Sequence, residues 1–369
     1  MESIRYSKRV LAQTEVITGE NLLDQIVPVF NHRFAEGALC LIYDRGVAQI
    51  ADGIISELKS AGYRVFVQAV SSLRNGGDDA KISAPEYVRH VFAVGAGTAA
   101  AKAKETAKLL DAEWTMFLTA PSTDTIMCDY APKLVFIDEN VLIKCPFECI
   151  ASGYGILFSQ PLTAFESFFS QKVLAQDISY DGSVFSASCG TLCDLAYSLL
   201  EASMSRREDS AQIMSEILYA KALKSGKRPR LIGEYKYLAS ALITSFYSAY
   251  LGAPSIDVMP PACREIAADA LSDLGIEDKR CKSVDFFDLN GYFKISYILS
   301  EYRTDLLDKL GSADFHTSQR FWRRLYPDAG YWLKGEITCK DLSDCLALAG
   351  ERSENLLGFA YASGVLSGY

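Results

Sequence analysis

The sequence predicts a two-part protein, an α/β domain built on a parallel sheet followed by an all-α helical domain. Three observations predict it. Between residues 38 and 145 short apolar runs alternate with helical patterns, the rhythm of right-handed βαβ units. From about Pro146 the strand-like runs thin out and long helical patterns take over. A length of 369 residues, 49% hydrophobic and 22% charged, suits two globular domains of ordinary size. The change of texture falls within 145–160, and we divide the chain into 1–155 and 156–369.

In order, residues 38–43 (ALCLIY) read as a buried strand and 47–60 as a helix closed by Gly62. Residues 64–70 (RVFVQAV) form a second strand, 88–94 a third. Gly95-Ala96-Gly97 then leads into an alanine- and lysine-rich helix to about Leu110, and 114–118 and 133–137 add two strands. Uninterrupted apolar runs of this length are what strands buried on both faces require. Beyond them, helical spacing covers 162–175, 189–204, 210–223, 234–250, 261–274 and 292–310, with two or three helices more to the end.

Forty-six acidic against thirty-seven basic residues leave a net charge of -9. That balance lacks the basic field needed to hold a phosphate backbone, so nucleic acid is excluded as the main partner. The opening MESIRYSKRV has no apolar stretch of the secretory kind, and a cytoplasmic chain is expected. The longest uncharged run, 237–256, contains Ser240, Thr244, Ser245, Ser248 and Pro254. It reads as a buried helix, so no membrane partner is expected. Ten cysteines spread along the chain read as free thiols, since a chain this long does not need disulfides to supply its core.

The segment Val91 to Thr98 runs from a strand through Gly95, Ala96 and Gly97 into a helix, with Thr98 as its expected cap. A glycine turn lets the backbone approach a phosphate, and the first helix amides face it with the positive end of the dipole. A tight turn holding no ligand is the plainer alternative. Unlike the dinucleotide fingerprint, this turn lacks a third glycine and follows the third predicted strand. After the next strand comes Thr119-Ala120-Pro121-Ser122-Thr123-Asp124-Thr125, dense in hydroxyls with one carboxylate. Loops at the carboxyl ends of parallel strands form the usual binding crevice, although such residues also make turns by bonding their own backbone.

Taken together, these segments resemble the superfamily of sn-glycerol-1-phosphate dehydrogenases, glycerol dehydrogenases, iron-containing alcohol dehydrogenases and 3-dehydroquinate synthases. The stretches that carry the likeness are Leu41-Ile42-Tyr43-Asp44, Gly95-Ala96-Gly97-Thr98 with Ala103-Lys104, and Thr119 to Asp124. Phe136-Ile137-Asp138, Pro146 and Ala151-Ser152-Gly153-Tyr154-Gly155 complete them. The resemblance implies a dehydroquinate synthase-like fold, with a Rossmann-like NAD(P)-binding domain before the helical one. It implies NAD or NADP held by Asp44, Gly95, Ala96, Gly97, Thr98, Thr119 and Ser122. It further implies that Asp124 meets a small polyol or polyol phosphate, and it leaves a homo-oligomer open.

The departures from the family concern chemistry. The resemblance implies a metal held by an Asp after the glycine pair and by two His of the helical domain. Here the Asp position is Ile156, and Gly233-Glu234-Tyr235-Lys236-Tyr237 has Tyr235 in place of a His. Ala101 replaces a further Asp of the glycine turn. The only histidines are His32, His90 and His316. A carboxylate and two imidazoles suit zinc or iron as a Lewis acid, and isoleucine cannot replace them. No metal is therefore expected. Cys145 with Cys149, and Cys189 with Cys193, have i,i+4 spacing, but two such pairs do not match a zinc-site pattern.

Two functions remain open from the sequence. In one, the chain binds a dinucleotide but has lost the metal-dependent reaction. In the other, it is an active oxidoreductase of altered mechanism, in which Tyr235, Lys236 and Tyr237 are the candidates to handle the hydroxyl proton of a polyol. A stripe of Ser240, Thr244 and Ser248 at four-residue intervals either bonds back to the helix's own carbonyls or, with Tyr235, lines a polar cleft. NAD versus NADP is not decided.

Overall fold

The computed structural model describes residues 6–34, 37–71, 84–123, 126–127, 129–176, 190–204, 209–226, 230–254, 264–276, 289–312 and 337–366. The chain divides into two compact units, Met1–Tyr154 with Ser186–Arg206, and Gly155–Phe185 with Arg207–Tyr369.

The first unit is organised on one seven-stranded sheet. Its strands are β1 Tyr6–Leu11, β2 Thr14–Gly19, β3 Ala38–Asp44, β4 Arg64–Val70, β5 His90–Gly95, β6 Glu113–Leu118 and β7 Leu134–Asp138. Their spatial order is β1-β2-β7-β6-β5-β3-β4. All neighbours pair in parallel except β1 with β2. Strands β5, β6 and β7 are buried almost throughout. One face of the sheet packs on Ile26, Phe30, Ile54 and Leu58 of helices α1 (Leu23–Arg33) and α2 (Ala48–Ser60). The other receives Ala99, Ala100, Ala103 and Ala107 of α3 (Thr98–Leu110), with Ala196 and Leu200 of α6 (Leu192–Met204). Small side chains on α3 let that helix lie close to the strands.

The hairpin β1–β2 and helix α1 come ahead of the first predicted strand. Strand β1 is an exposed edge whose side chains bury almost nothing, so it carries no hydrophobic alternation. Its two-residue turn is Ala12-Gln13, with Ala12 at φ 52, instead of the Asn-Gly that announces such turns. Pro28 sits inside α1, where it removes a backbone donor.

Two adjoining carboxylates at the end of β7 tie helices to the sheet. The Glu139 carboxylate, on the one-turn helix α4 (Glu139–Leu142), accepts the Leu192 and Cys193 amides at 3.0 and 2.7 Å. The fully buried Asp138 accepts the Leu22 amide at 2.6 Å and the Asn140 amide at 2.9 Å, joining the end of β7 to the start of α1.

The second unit is helical around an apolar core that includes Leu162, Phe165, Phe169, Ile217, Ile243, Leu299 and Phe359. It contains most of α5 (Phe147–Lys172), then α7 Ser210–Lys224, α8 Ile232–Gly252 and α9 Arg264–Asp273. These are followed by α10 Leu289–Glu301, α11 Arg303–Ser312, α12 Cys339–Arg352 and α13 Leu356–Ala362. Helix α5 starts fifteen residues earlier than the expected 162 and runs through Pro161. The helix expected over 292–310 is two, broken at Tyr302, because the Arg303 guanidinium turns to cap the Leu251 and Ala253 carbonyls at the end of α8. Among the described residues, no helix is long and apolar enough to cross a membrane.

Candidate functional site

At the carboxyl edge of the sheet, the chain leaves β3 toward β4 on one side and continues from β5 to β6 and β7 on the other. The β4-β3-β5-β6-β7 series is the flavodoxin-like order, whose ligand crevice opens at the switch point between its first and third strands, here β3 and β5. Asp44 ends β3 and Gly95 ends β5, with Tyr43 and Val94 in register just before them. The glycine turn therefore does not need to follow the first strand of the series.

Several of the expected cofactor residues come together there. Gly95 has φ +147, and a Cβ on it would lie 2.8 Å from the Ala99 Cβ and 3.3 Å from the Asp44 Cβ. Only glycine lets β5, the start of α3 and Asp44 approach this closely. Gly97, at φ +47, is the cap of α3, and a Cβ there would meet nothing within 4 Å. Thr98 is the first helical residue, not the cap expected from the sequence. The Thr119 amide donates to the Gly95 carbonyl at 3.3 Å, which brings the start of the 119–123 loop beside the turn. In that loop the Ser122 amide donates to the Ala120 carbonyl at 3.0 Å. The Asp44 Oδ1 accepts the Gly46 amide at 2.7 Å, so part of its carboxylate serves its own turn. Asp124 lies outside the described residues.

A Gly97 position with no described atom within 4 Å of a Cβ, at the N-terminus of α3, is of the kind that suits a phosphate group.

The residues at the implied metal positions belong to the second unit. Gly155 on α5 crosses Gly233 at the start of α8 so closely that a Cβ on Gly155 would lie 2.1 Å from the Gly233 carbonyl oxygen. Ile156 and Tyr235 thus flank one helix crossing. Ile156 is fully buried, and its carbonyl accepts from the Ser159 hydroxyl at 2.7 Å and the Gln160 amide at 3.3 Å. Tyr235 is buried, and its hydroxyl accepts the Arg230 amide at 3.3 Å. Lys236 and Tyr237 are buried as well, Tyr237 edge-on to Phe158. An aliphatic side chain and a neutral phenol do not make a divalent-cation site, so these residues do not fit the implied metal. Among the described residues, no group of three or more His, Cys, Asp or Glu side chains gathers as a metal would require.

Cys145 and Cys149 flank the start of α5. Burial first, and then Cys149, pushes the Cys145 thiol up to about 12, far from the thiolate a metal needs. Cys193 lies on α6 and donates to the Ile137 carbonyl; Cys189 lies outside the described residues.

Two of the three hydroxyls of the α8 stripe bond back to their own helix, while the buried Thr244 Oγ1 finds no hydrogen-bond partner among the described residues. Ser240 donates to the Lys236 carbonyl at 2.8 Å and Ser248 to the Thr244 carbonyl at 3.0 Å, each four residues back. Ser248 is exposed, so the stripe winds from core to surface.

No protein-family model matches the sequence, and no curated protein does. Solved structures do. A variant of an archaeal halo-thermophilic alcohol dehydrogenase from a Red Sea brine pool is 13% identical, over 99% of this chain and 96% of that one, with a TM-score of 0.50. The glycerol dehydrogenase of Schizosaccharomyces pombe is 13% identical over 89% and 95%, with a TM-score of 0.49. A 2-deoxy-scyllo-inosose synthase is 14% identical over 75% and 85%, with a TM-score of 0.47. At such identities the likeness speaks for the fold. The chain shares the fold of that brine-pool alcohol dehydrogenase, with an α/β parallel-sheet part and a helical part.

Proposed function

We propose that this chain is an NAD(P)-binding protein of the polyol and alcohol dehydrogenase type, nearest to glycerol or glycerol-1-phosphate dehydrogenases, that does not run the metal-dependent reaction. The observation that carries this reading is a contrast between two places. The switch point keeps an open glycine turn at Gly95–Gly97 with space above Gly97, while the position implied for the first metal ligand is a fully buried isoleucine. A bound nicotinamide would supply hydride exchange. The chain's part is to hold the phosphates on the α3 amides, to orient the ribose side beside Asp44, and to offer Thr119 and Ser122 as hydroxyl partners. A small polyol or polyol phosphate meeting Asp124 belongs to the same reading, as does the division of the chain into 1–155 and 156–369.

The buried Lys236 between Tyr235 and Tyr237 in sequence supports the second reading, an oxidoreductase in which a tyrosine ionised with the help of a neighbouring lysine takes the alcohol proton as a phenolate. Sustained reduction of NAD or NADP by glycerol or glycerol phosphate in metal-free buffer, lost in Tyr235→Phe, would favour it over the first.

Calorimetric titration tests the binding half. NAD(H) or NADP(H) is expected to bind with a dissociation constant below millimolar. Gly97→Leu is expected to weaken binding by about tenfold or more, equivalent to about 1.4 kcal/mol. A Cβ there meets none of the described residues within 4 Å, but φ 47 with ψ -109 is a backbone conformation that side-chain-bearing residues rarely adopt, so stability should fall by about 1–3 kcal/mol while the unit stays folded. Absence of binding by either dinucleotide, or equal binding by Gly97→Leu, would contradict the proposal.

A further inference from the structure

A string of polar side chains lies inside the otherwise apolar core of the second unit. Glu166 on α5 is 4% exposed. Its Oε2 accepts the amide of Ser210, the first residue of α7, at 3.0 Å, and its Oε1 accepts the Tyr247 hydroxyl of α8 at 2.6 Å. The Ser210 hydroxyl stands 3.4 Å from the Tyr247 hydroxyl and 3.2 Å from the Ser353 hydroxyl, and accepts from the Asn355 amide at 2.8 Å. One hydrogen-bonded chain therefore ties α5 to α7, α8 and the connection between α12 and α13.

A second carboxylate adjoins it. Asp209 caps α7 by accepting the Gln212 amide at 2.6 Å and takes the Thr163 hydroxyl of α5 at 2.5 Å. The groups acting on Glu166 are thus Asp209 from α7, which opposes its ionisation, and the Tyr247 hydroxyl with the Ser210 amide and hydroxyl, which favour it. From the C-terminal pair, α12 brings the buried Glu351 and Arg352 just ahead of Ser353. Burial and the Asp209 charge outweigh the hydrogen bonds and raise the Glu166 carboxyl to about 7.

We propose that Glu166 is a proton-operated latch of the helical unit. With its proton on, Glu166 donates to the Tyr247 oxygen, Tyr247 donates to Ser210, and Ser210 donates to the side-chain Oδ1 of Asn355, so every group in the chain is matched and neutral. With the proton off, Tyr247 donates back to Glu166 and the chain reverses, since each hydroxyl can serve in either sense. The carboxylate then sits buried beside Asp209, a like charge in a medium of low dielectric. The contacts between α5, α7, α8 and the C-terminal helices weaken in consequence.

The sign follows from the two pKa values. The folded value, about 7, lies above the ordinary 4.5, so the latch stabilises fully below the unfolded value and its contribution is lost as pH rises through about 7. Glu166→Gln keeps an acceptor for the Ser210 amide and a donor for Tyr247, which imitates the protonated acid. Relative to that variant, the unfolding constant of the wild-type chain is expected to rise about tenfold per pH unit between pH 5 and 7 and to level off above about 8. Hydrogen exchange in α7 and α8, corrected for intrinsic rates, should accelerate from pH 6 to pH 8.5 in the wild type and hold steady in Glu166→Gln. Asp209→Asn, which retains a good helix cap, should move the transition to lower pH. Identical pH profiles for wild type and Glu166→Gln, or a transition unmoved in Asp209→Asn, would overturn the latch.

Discussion

Gly155→Ala is expected to be the most damaging single-methyl change in the second unit. The added Cβ would lie 2.1 Å from the Gly233 carbonyl oxygen and 2.7 Å from its carbon, against an ordinary C···O contact of about 3.3 Å. Both obstacles are backbone, so no side chain can swing away, and α5 and α8 must part by about an ångström. That separation spreads to the buried neighbours Ile156, Glu234 and Tyr235. Overpacking of this kind costs about 3 kcal/mol or more. Gly53→Ala is the control: it stands on the exposed face of α2 with nothing within 4 Å of its Cβ position, and should stabilise by about 0.5–1 kcal/mol. Urea denaturation followed by circular dichroism measures both. A Gly155→Ala protein within about 1 kcal/mol of wild type would show that the two helices are not in such close contact.

The second large effect is acid destabilisation of the first unit through His90. Its ring is buried at the start of β5, 4.8 Å edge-on from Phe30 and 4.1 Å from Phe34, with Nε2 3.0 Å from the Thr115 hydroxyl. Among the described residues, Nδ1 has no hydrogen-bond partner. Desolvation lowers its pKa from 6.5 to about 3. The unfolded chain therefore takes up a proton that the folded chain refuses. Stability is complete above pH 6.5 and falls as pH drops toward 3, by about 1.4 kcal/mol per unit, or about 2 kcal/mol at pH 5. His90→Gln should lose packing at pH 7.5 but remove that slope. Glu166 acts in the opposite sense over part of this range, so the informative quantity is the difference between wild type and His90→Gln at pH 7.5 and pH 5. A difference independent of pH would contradict the assignment.

How much of this was legible in the sequence depended on what each segment buries. Strands β3, β5, β6 and β7 stood out because burial on both faces demands unbroken apolar runs. Strand β1 buries almost nothing and its turn, Ala12-Gln13, has no glycine, so neither signal was present. One proline marked a false boundary. Pro161 lies within α5, just ahead of the expected start at 162, and tertiary packing carries the helix through it.

The candidate site was legible in its parts more than in its arrangement. The glycine turn is a local motif, but strand order is not, so its seat at the switch point between β3 and β5 emerged only from the topology. The Gly155–Gly233 crossing had a faint trace in the pair Gly153 and Gly155, which the sequence offered only as part of a resemblance and not as a helix contact. The Glu166 cluster had none. Its two partners stand 44 and 81 residues away, and no local pattern announces contacts at that range.

The central claim, a dinucleotide held at the glycine turn without help from a metal, is tested most directly by one titration. NADH and NADPH fluorescence would be followed on the chelator-treated protein, and again after addition of zinc, iron(II) or cobalt. The account predicts saturable binding of at least one dinucleotide in the stripped protein, with a dissociation constant unchanged within about twofold, or about 0.4 kcal/mol, when metal is restored. Binding that appears only with metal, together with about one tightly held metal ion per chain, would contradict it.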